Sequence, residues 1–226
     1  QCSPHNPVGR VWKEEELDRV LSICEKRGVL VVSDEIHQDF ILGGNRQIPA
    51  AAVSGGKYAD NLIAVTAPSK TFNMAGLLNS HIIIPNKEIR NRYDAYAKTV
   101  DQIGMNVLSI TAAEAAYTYG GEWLDSLLDV IRHNYNIIKS RLNRDAPGIV
   151  VTPLEGTYLA WLDLRNYIDP EDTKEFIQDR CRLAVDLGEW FARSCKGFVR
   201  LNLATDPKYV EQAADSIAEN IKRIAE

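Results

Sequence analysis

Lys70 lies in Ala67-Pro68-Ser69-Lys70-Thr71-Phe72-Asn73, four residues after the apolar run 62–66. A lysine between a strand end and a turn of small residues can form a Schiff base when it is partly desolvated. Taken alone, a Ser-Lys pair is more often plain surface loop. Asp34 directly follows a second apolar run, 29–33. A carboxylate there can pair with a protonated ring nitrogen, or it can cap a helix or join a salt bridge. Arg200 is embedded in Phe198-Val199-Arg200-Leu201-Asn202-Leu203-Ala204. An arginine within an apolar strand is costly unless it meets an anion, and its planar fork suits a carboxylate. An exposed strand face is the competing reading. Asp34, Glu35 and His37 also spell Asp-Glu-x-His, but so few ligands on one extended segment do not make a metal centre, and none is expected.

The elements that must position these groups alternate. A helix is predicted over 14–27, with Leu17, Val20, Leu21 and Cys24 on one stripe and Gly28 as its stop. The runs 29–33, 62–66 and 81–84 lack alternation, which fits strands covered on both faces, as in a parallel sheet. Ligands of open α/β sheets bind beyond the carboxyl ends of the strands, so Asp34 and Lys70 are expected to face one crevice. Helices follow over 87–98 and 109–119, then a long one over 122–144 striped by Leu124, Leu127, Leu128, Ile131, Tyr135, Ile138 and Leu142. The remainder reads as a small α+β unit. Its strands are expected near 149–152, 157–163, 182–186 and 198–203, with a helix over 171–180. A terminal helix over 207–224 turns Val210, Ala213, Ala214, Ile217, Ile221 and Ile224 inward.

Composition excludes several classes. The 226 residues are 45% hydrophobic and 25% charged, with a net charge of −5. No basic face suggests nucleic acid, and no apolar run is long enough to span a bilayer. The four cysteines form no C-x-x-C pair and read as free buried thiols of a reduced, cytoplasmic protein. No charged-then-apolar leader opens the chain. Gln1-Cys2-Ser3-Pro4-His5-Asn6-Pro7, without an initiator methionine, reads as a strand end running into a turn, as though cut inside a domain.

Five motifs in order then carry a resemblance: Asn6-Pro7-Val8-Gly9, Ser33-Asp34-Glu35-Ile36-His37, Ser69-Lys70-Thr71-Phe72-Asn73 with Gly76, Glu155-Gly156-Thr157-Tyr158, and Arg200-x-Asn202-x-Ala204. The chain resembles the class I/II aminotransferase superfamily of fold-type I enzymes dependent on pyridoxal 5′-phosphate (PLP). Within it, the chain is most similar to the cystathionine β-lyase, or C–S lyase, branch. The resemblance implies an α/β fold: the C-terminal part of the large PLP-binding domain over 1–135, ending in the long helix, and a small C-terminal domain over 136–226. It implies Lys70 as the Schiff-base lysine and acid–base, Asp34 as partner of the pyridine nitrogen, and Asn6 as donor to the cofactor's 3′-oxygen. Arg200 corresponds to the clamp on the substrate α-carboxylate and Ser69 to a phosphate contact. His37 takes the cofactor-side position where many transaminases have tyrosine.

Two further departures bear on substrate. Leu78 stands where aspartate-type transaminases carry a phosphate-binding arginine, and 103–109 holds no cation for a side-chain carboxylate. Both point away from dicarboxylates and toward α,β-elimination of a thioether amino acid to pyruvate, ammonia and a thiol. Transamination shares the early steps and stays open as an alternative, as does a non-catalytic binding or regulatory module. The family's chains extend further at the N-terminus, where a phosphate turn, a ring-stacking aromatic and a tyrosine from the dimer partner reside. A homodimer is implied for the full-length enzyme, and this chain alone is expected to bind PLP poorly.

Overall fold

The computed structural model describes residues 1–102 and 104–225. Two compact units divide the chain: Gln1–His5 with Val11–Leu124, and Asn6–Arg10 with Asp125–Glu226. The expected boundary at residue 135 falls inside the second unit, which also takes in the loop holding Asn6.

In the first unit, α1 (Glu14–Lys26) opens with three glutamates that complement the positive end of its dipole, and Gly28 at φ +63° turns the chain out of it. Leu17 and Leu21 pack with Val31, Val53, Tyr58 and Leu62 in one buried cluster. Strand β1 (Val31–Asp34) runs parallel to β2 (Leu62–Thr66), with Asp34 opposite Val65. One helical turn, α2 (Pro68–Thr71), follows β2. Cys2 bridges Asp34 in parallel, so the first residues do end a strand-like segment before their turn.

The third apolar run departs from expectation. Strand β3 (His81–Ile83) lies antiparallel to β2. Between them stand only short helical turns, without the full helix that a parallel crossover ordinarily uses. Nor is the sheet covered on both faces: Val32 is 49% exposed, Ile82 42% and Ile83 49%. Helices α3 (Lys87–Thr99) and α4 (Val107–Tyr119) start on Asn86 and Asn106, whose side chains accept the amides of Glu88, Ile89 and Ser109. Of the cation-free segment 103–109, Ile103 lies outside the described residues.

Helix α5 (Gly121–Asp145) begins in the first unit and ends in the second. There Ile131, Ile138 and Leu142 are buried, and Asn134 donates to the carbonyls of Leu203 and Thr205, both at 2.8 Å. The second unit's sheet has β4 (Val150–Val151), β5 (Leu159–Asp163), β7 (Phe198–Asn202) and β6 (Asp186–Leu187) in spatial order, all antiparallel. Leu159, Ala160, Trp161 and Leu162 of β5 are all buried.

Boundaries shift in two places. The strand expected over 182–186 is only Asp186–Leu187, because Arg182 turns the chain at φ +59°. The helix expected over 171–180 is a 3-10 turn, Pro170–Asp172, one α turn, α6 (Thr173–Glu175), and a π turn, Phe176–Arg180. The terminal helix α7 (Pro207–Ala225) buries Val210, Ala213, Ala214, Ile217 and Ile221, whereas Ile224 in its last turn is 42% exposed. All four cysteines are free, but only Cys181 is buried; the other three are half-buried.

Candidate active site

Asp34 closes β1 beside the carboxyl end of β2. Its register partner is Val65, whose carbonyl accepts the Glu35 amide at 2.9 Å, and neighbouring strands stand about 4.8 Å apart. One carboxylate oxygen, Oδ1, accepts the Ile36 amide at 3.1 Å in a tight turn that fixes the side chain. Among the described residues, Oδ2 accepts no hydrogen bond and Asp34 joins no salt bridge.

Lys70 is reached from β2 through the α2 turn. Pro68 opens that turn, and Thr71, fully buried, donates to Asp39 Oδ2 at 2.7 Å. The Met74 amide donates to Ser69 O at 3.0 Å, closing the turn on its far side. Lys70 is half-buried, and among the described residues its ammonium has no carboxylate or carbonyl partner. The structure thus sets a half-buried amine and an open carboxylate edge at the ends of adjacent parallel strands. Ser69 is half-buried next to Lys70, and His37 is buried with its ring 6.1 Å from that of Phe40.

Glu35 points into the protein. Its Oε1 accepts from Ser33 Oγ at 2.9 Å and from the Ala50 amide at 2.8 Å. Burial pushes its pKa up, and those two hydrogen bonds pull the other way.

In the second unit, Asn6 and Arg200 meet directly: Arg200 Nη1 donates to Asn6 Oδ1 at 2.5 Å. The loop carrying Asn6 is seated through Gly9, whose carbonyl accepts the amides of Glu155 and Gly156, both at 2.9 Å. Gly9 has φ +79°, and a Cβ there would come within 2.7 Å of Leu154. This close approach explains why Asn-Pro-x-Gly and Glu-Gly-Thr-Tyr occur in one chain: each is the other's socket. Thr157 completes the socket at φ +70°, rare for a β-branched residue, with its hydroxyl accepting the Leu159 amide.

Several residues at these places escaped sequence reasoning. Asp186 pairs with Arg200, its Oδ2 accepting from Nε at 3.0 Å and also from Nη2. The Phe191 ring lies 4.8 Å from the Arg200 guanidinium carbon. Asp39 holds the turn of Lys70 through Thr71. The demand of an in-strand arginine for an anion, applied to the neighbouring strand, was the available signal for Asp186; Asp39 has no local signal. Among the described residues no cluster of three or more His, Cys, Asp or Glu side chains can hold a metal. No helix of the described residues is long and apolar enough to cross a membrane.

Comparison with known proteins agrees with this geometry. The family model "Aminotransferase class I and II" matches residues 1–217. Cystathionine beta-lyase PatB of Bacillus subtilis is 38% identical over 202 residues, covering 89% of this chain and 52% of PatB. Protein MalY of Escherichia coli is 34% identical, covering 99% of this chain and 57% of MalY. Cystalysin from Treponema denticola, whose crystal structure contains a pyridoxal 5′-phosphate cofactor, superposes with a TM-score of 0.94 at 36% identity, over 98% of this chain and 56% of cystalysin. The chain spans about half the length of the curated relatives it matches. With its motifs, its fold and nearly its whole length matched, the chain belongs to the class I and II aminotransferase family.

Proposed function

We propose that this chain carries the lysine-bearing part of a PLP-dependent carbon–sulfur β-lyase acting on cystathionine or another cysteine thioether. The carrying observation is the unpartnered Lys70 at the end of β2 beside the open edge of Asp34 at the end of β1. The relatives named cystathionine beta-lyase support the choice within the family.

The residues present fit the cofactor. When bound, PLP supplies an electron sink for charge developing at the substrate α-carbon. Lys70 Nζ is the amine that holds the cofactor's aldehyde carbon and then takes the substrate α-proton. Asp34 Oδ2, with no donor of its own, holds a proton on the ring nitrogen. Asn6 has its oxygen committed to Arg200, so its Nδ2 is the group left to donate to the 3′-oxygen. Arg200 takes the substrate α-carboxylate. Ser69 contributes its hydroxyl to the phosphate, and His37 is a further cofactor-binding residue at the position where many transaminases have tyrosine. On this reading residues 1–135 are the partial large domain and 136–226 the small domain. The free cysteines fit a cytoplasmic setting, and the full-length enzyme is a homodimer.

Transamination is the second reading, favoured by relatives such as the aspartate aminotransferase of Bacillus subtilis at 26% identity. Release of pyruvate from cystathionine without an amino acceptor selects the lyase; keto-acid formation that requires an acceptor selects the aminotransferase. Lys70→Ala in the full-length enzyme is expected to abolish both the visible absorbance of the bound cofactor and turnover. Survival of both overturns the assignment and leaves the non-catalytic module.

A further inference from the structure

We infer that Asp186 is a positioning and specificity-determining residue. It holds one edge of Arg200 and leaves the opposite edge to a singly charged carboxylate. The inference rests on Arg200 being the α-carboxylate clamp.

Register brings the two together: Asp186 of β6 lies opposite Arg200 of β7. A guanidinium has five N–H donors in one plane. Asp186 Oδ2 takes one from Nε, at 3.0 Å, and one from Nη2; Asn6 Oδ1 takes one from Nη1 at 2.5 Å. The two donors that remain belong to Nη1 and Nη2, the nitrogens of the outer edge. That edge is the fork a carboxylate meets with two parallel hydrogen bonds. The Phe191 ring, 4.8 Å from the guanidinium carbon, backs one face of the plane. Arg200 is therefore fixed against rotation by two partners and a ring before any ligand arrives.

Charge adds selection to position. Asp186 cancels the formal charge of Arg200, so the exposed edge offers geometry rather than net attraction. A monocarboxylate can use two aligned donors at little cost. A dianion meets the same donors with the negative Asp186 behind them and is repelled about twice as strongly. Asp186 is 39% exposed, so solvent screens this repulsion and limits the discrimination to roughly fivefold. The same selection extends to substrates: an amino acid with one carboxylate near Arg200 is accepted over one that brings a second.

The test follows side-chain N–H signals of arginine by NMR in the full chain, with the Arg200 signal assigned by its loss in Arg200→Lys. Acetate and succinate are titrated as the monoanion and dianion. Acetate is expected to shift the Arg200 signal in the wild type. Asp186→Asn, which keeps an acceptor oxygen but removes the charge, should raise the succinate-to-acetate affinity ratio roughly fivefold and leave acetate binding no weaker than in the wild type. Asp186→Ala should raise the ratio equally but weaken acetate severalfold, because the guanidinium is no longer held. An unchanged ratio in both variants, with acetate still shifting Arg200, overturns the role of Asp186 and leaves the clamp. No response of Arg200 to acetate in the wild type overturns the clamp itself and this inference with it. Backbone amide spectra of the variants matching the wild type establish that each is folded, and Asp186→Ser replaces any that is not.

Discussion

The two units solve the burial problem differently. In the second, β5 carries four consecutive buried residues, and α7 and the latter part of α5 close over hydrophobic positions. In the first, Val32 and Ile82 leave one face of the sheet open and Ile83 is exposed on the other, and Leu78, Val107, Leu108 and Tyr119 stand 73–83% exposed. The chemistry is divided in the same way. The first unit presents an amine and a carboxylate that bond little to anything else, while the second presents an arginine already held by Asp186 and Asn6. On the proposed roles, the groups that react are left unpartnered, and the group that only binds is locked in place beforehand.

The largest test of that contrast is in the cores. Leu162→Ala, at a fully buried position of β5, is expected to cost about 2–5 kcal/mol. Leu108→Ala, at a position 73% exposed, should stay within about 0.5 kcal/mol. Urea unfolding of both variants checks this, and equal losses would break the comparison. A smaller effect is expected at the Lys70 turn. Thr71→Val removes the donor to Asp39 and leaves a carboxylate oxygen short of a partner, for a loss of about 1–3 kcal/mol. If the turn positions Lys70, the variant full-length enzyme also loses kcat at constant cofactor occupancy.

The smallest effects are in pH dependence, and they have opposite signs. Burial raises the pKa of Glu35, so the fold favours its protonated form. Its contribution is present below the ordinary glutamate value and is lost as pH rises toward the raised one. In the second unit, Arg165 lowers the pKa of Asp163 through hydrogen bonds to both carboxylate oxygens. That contribution is present above the ordinary aspartate value and is lost as pH falls through the lowered one. Unfolding at a series of acidic pH values should show Glu35→Gln removing the first dependence and Asp163→Asn the second. The same slope in both variants would contradict the assignment.

Much of this was legible in the sequence, for local reasons. The α1 stripe, the Gly28 stop and the 62–66 run are periodic or punctuated signals, and the structure has each nearly where they place it. The placement of Asp34 and Lys70 at strand ends is legible because strand ends can be read from apolar runs. Strand direction could not be read: the residues of 81–84 are the same whether β3 runs up or down, and only the lack of a crossover helix decides. The open sheet face was illegible too, because an apolar side chain does not record whether anything covers it. Asp186 and Asp39 act through partners 14 and 32 residues away, beyond any local pattern.

The bond between Asn6 and Arg200 spans 194 residues of chain. Bringing such ends together costs on the order of 5 kcal/mol of loop-closure entropy. On a ribosome adding about 5–20 residues per second, Asn6 leaves the tunnel roughly 10–40 s before its arginine. The Asn6–Arg10 loop is thus made well before it is used, and until Arg200 is made nothing can complete this bond. That interval gives a holding chaperone time to act on the Asn6–Arg10 segment, and it makes this pair a contact the nascent protein acquires late relative to the loop's own synthesis.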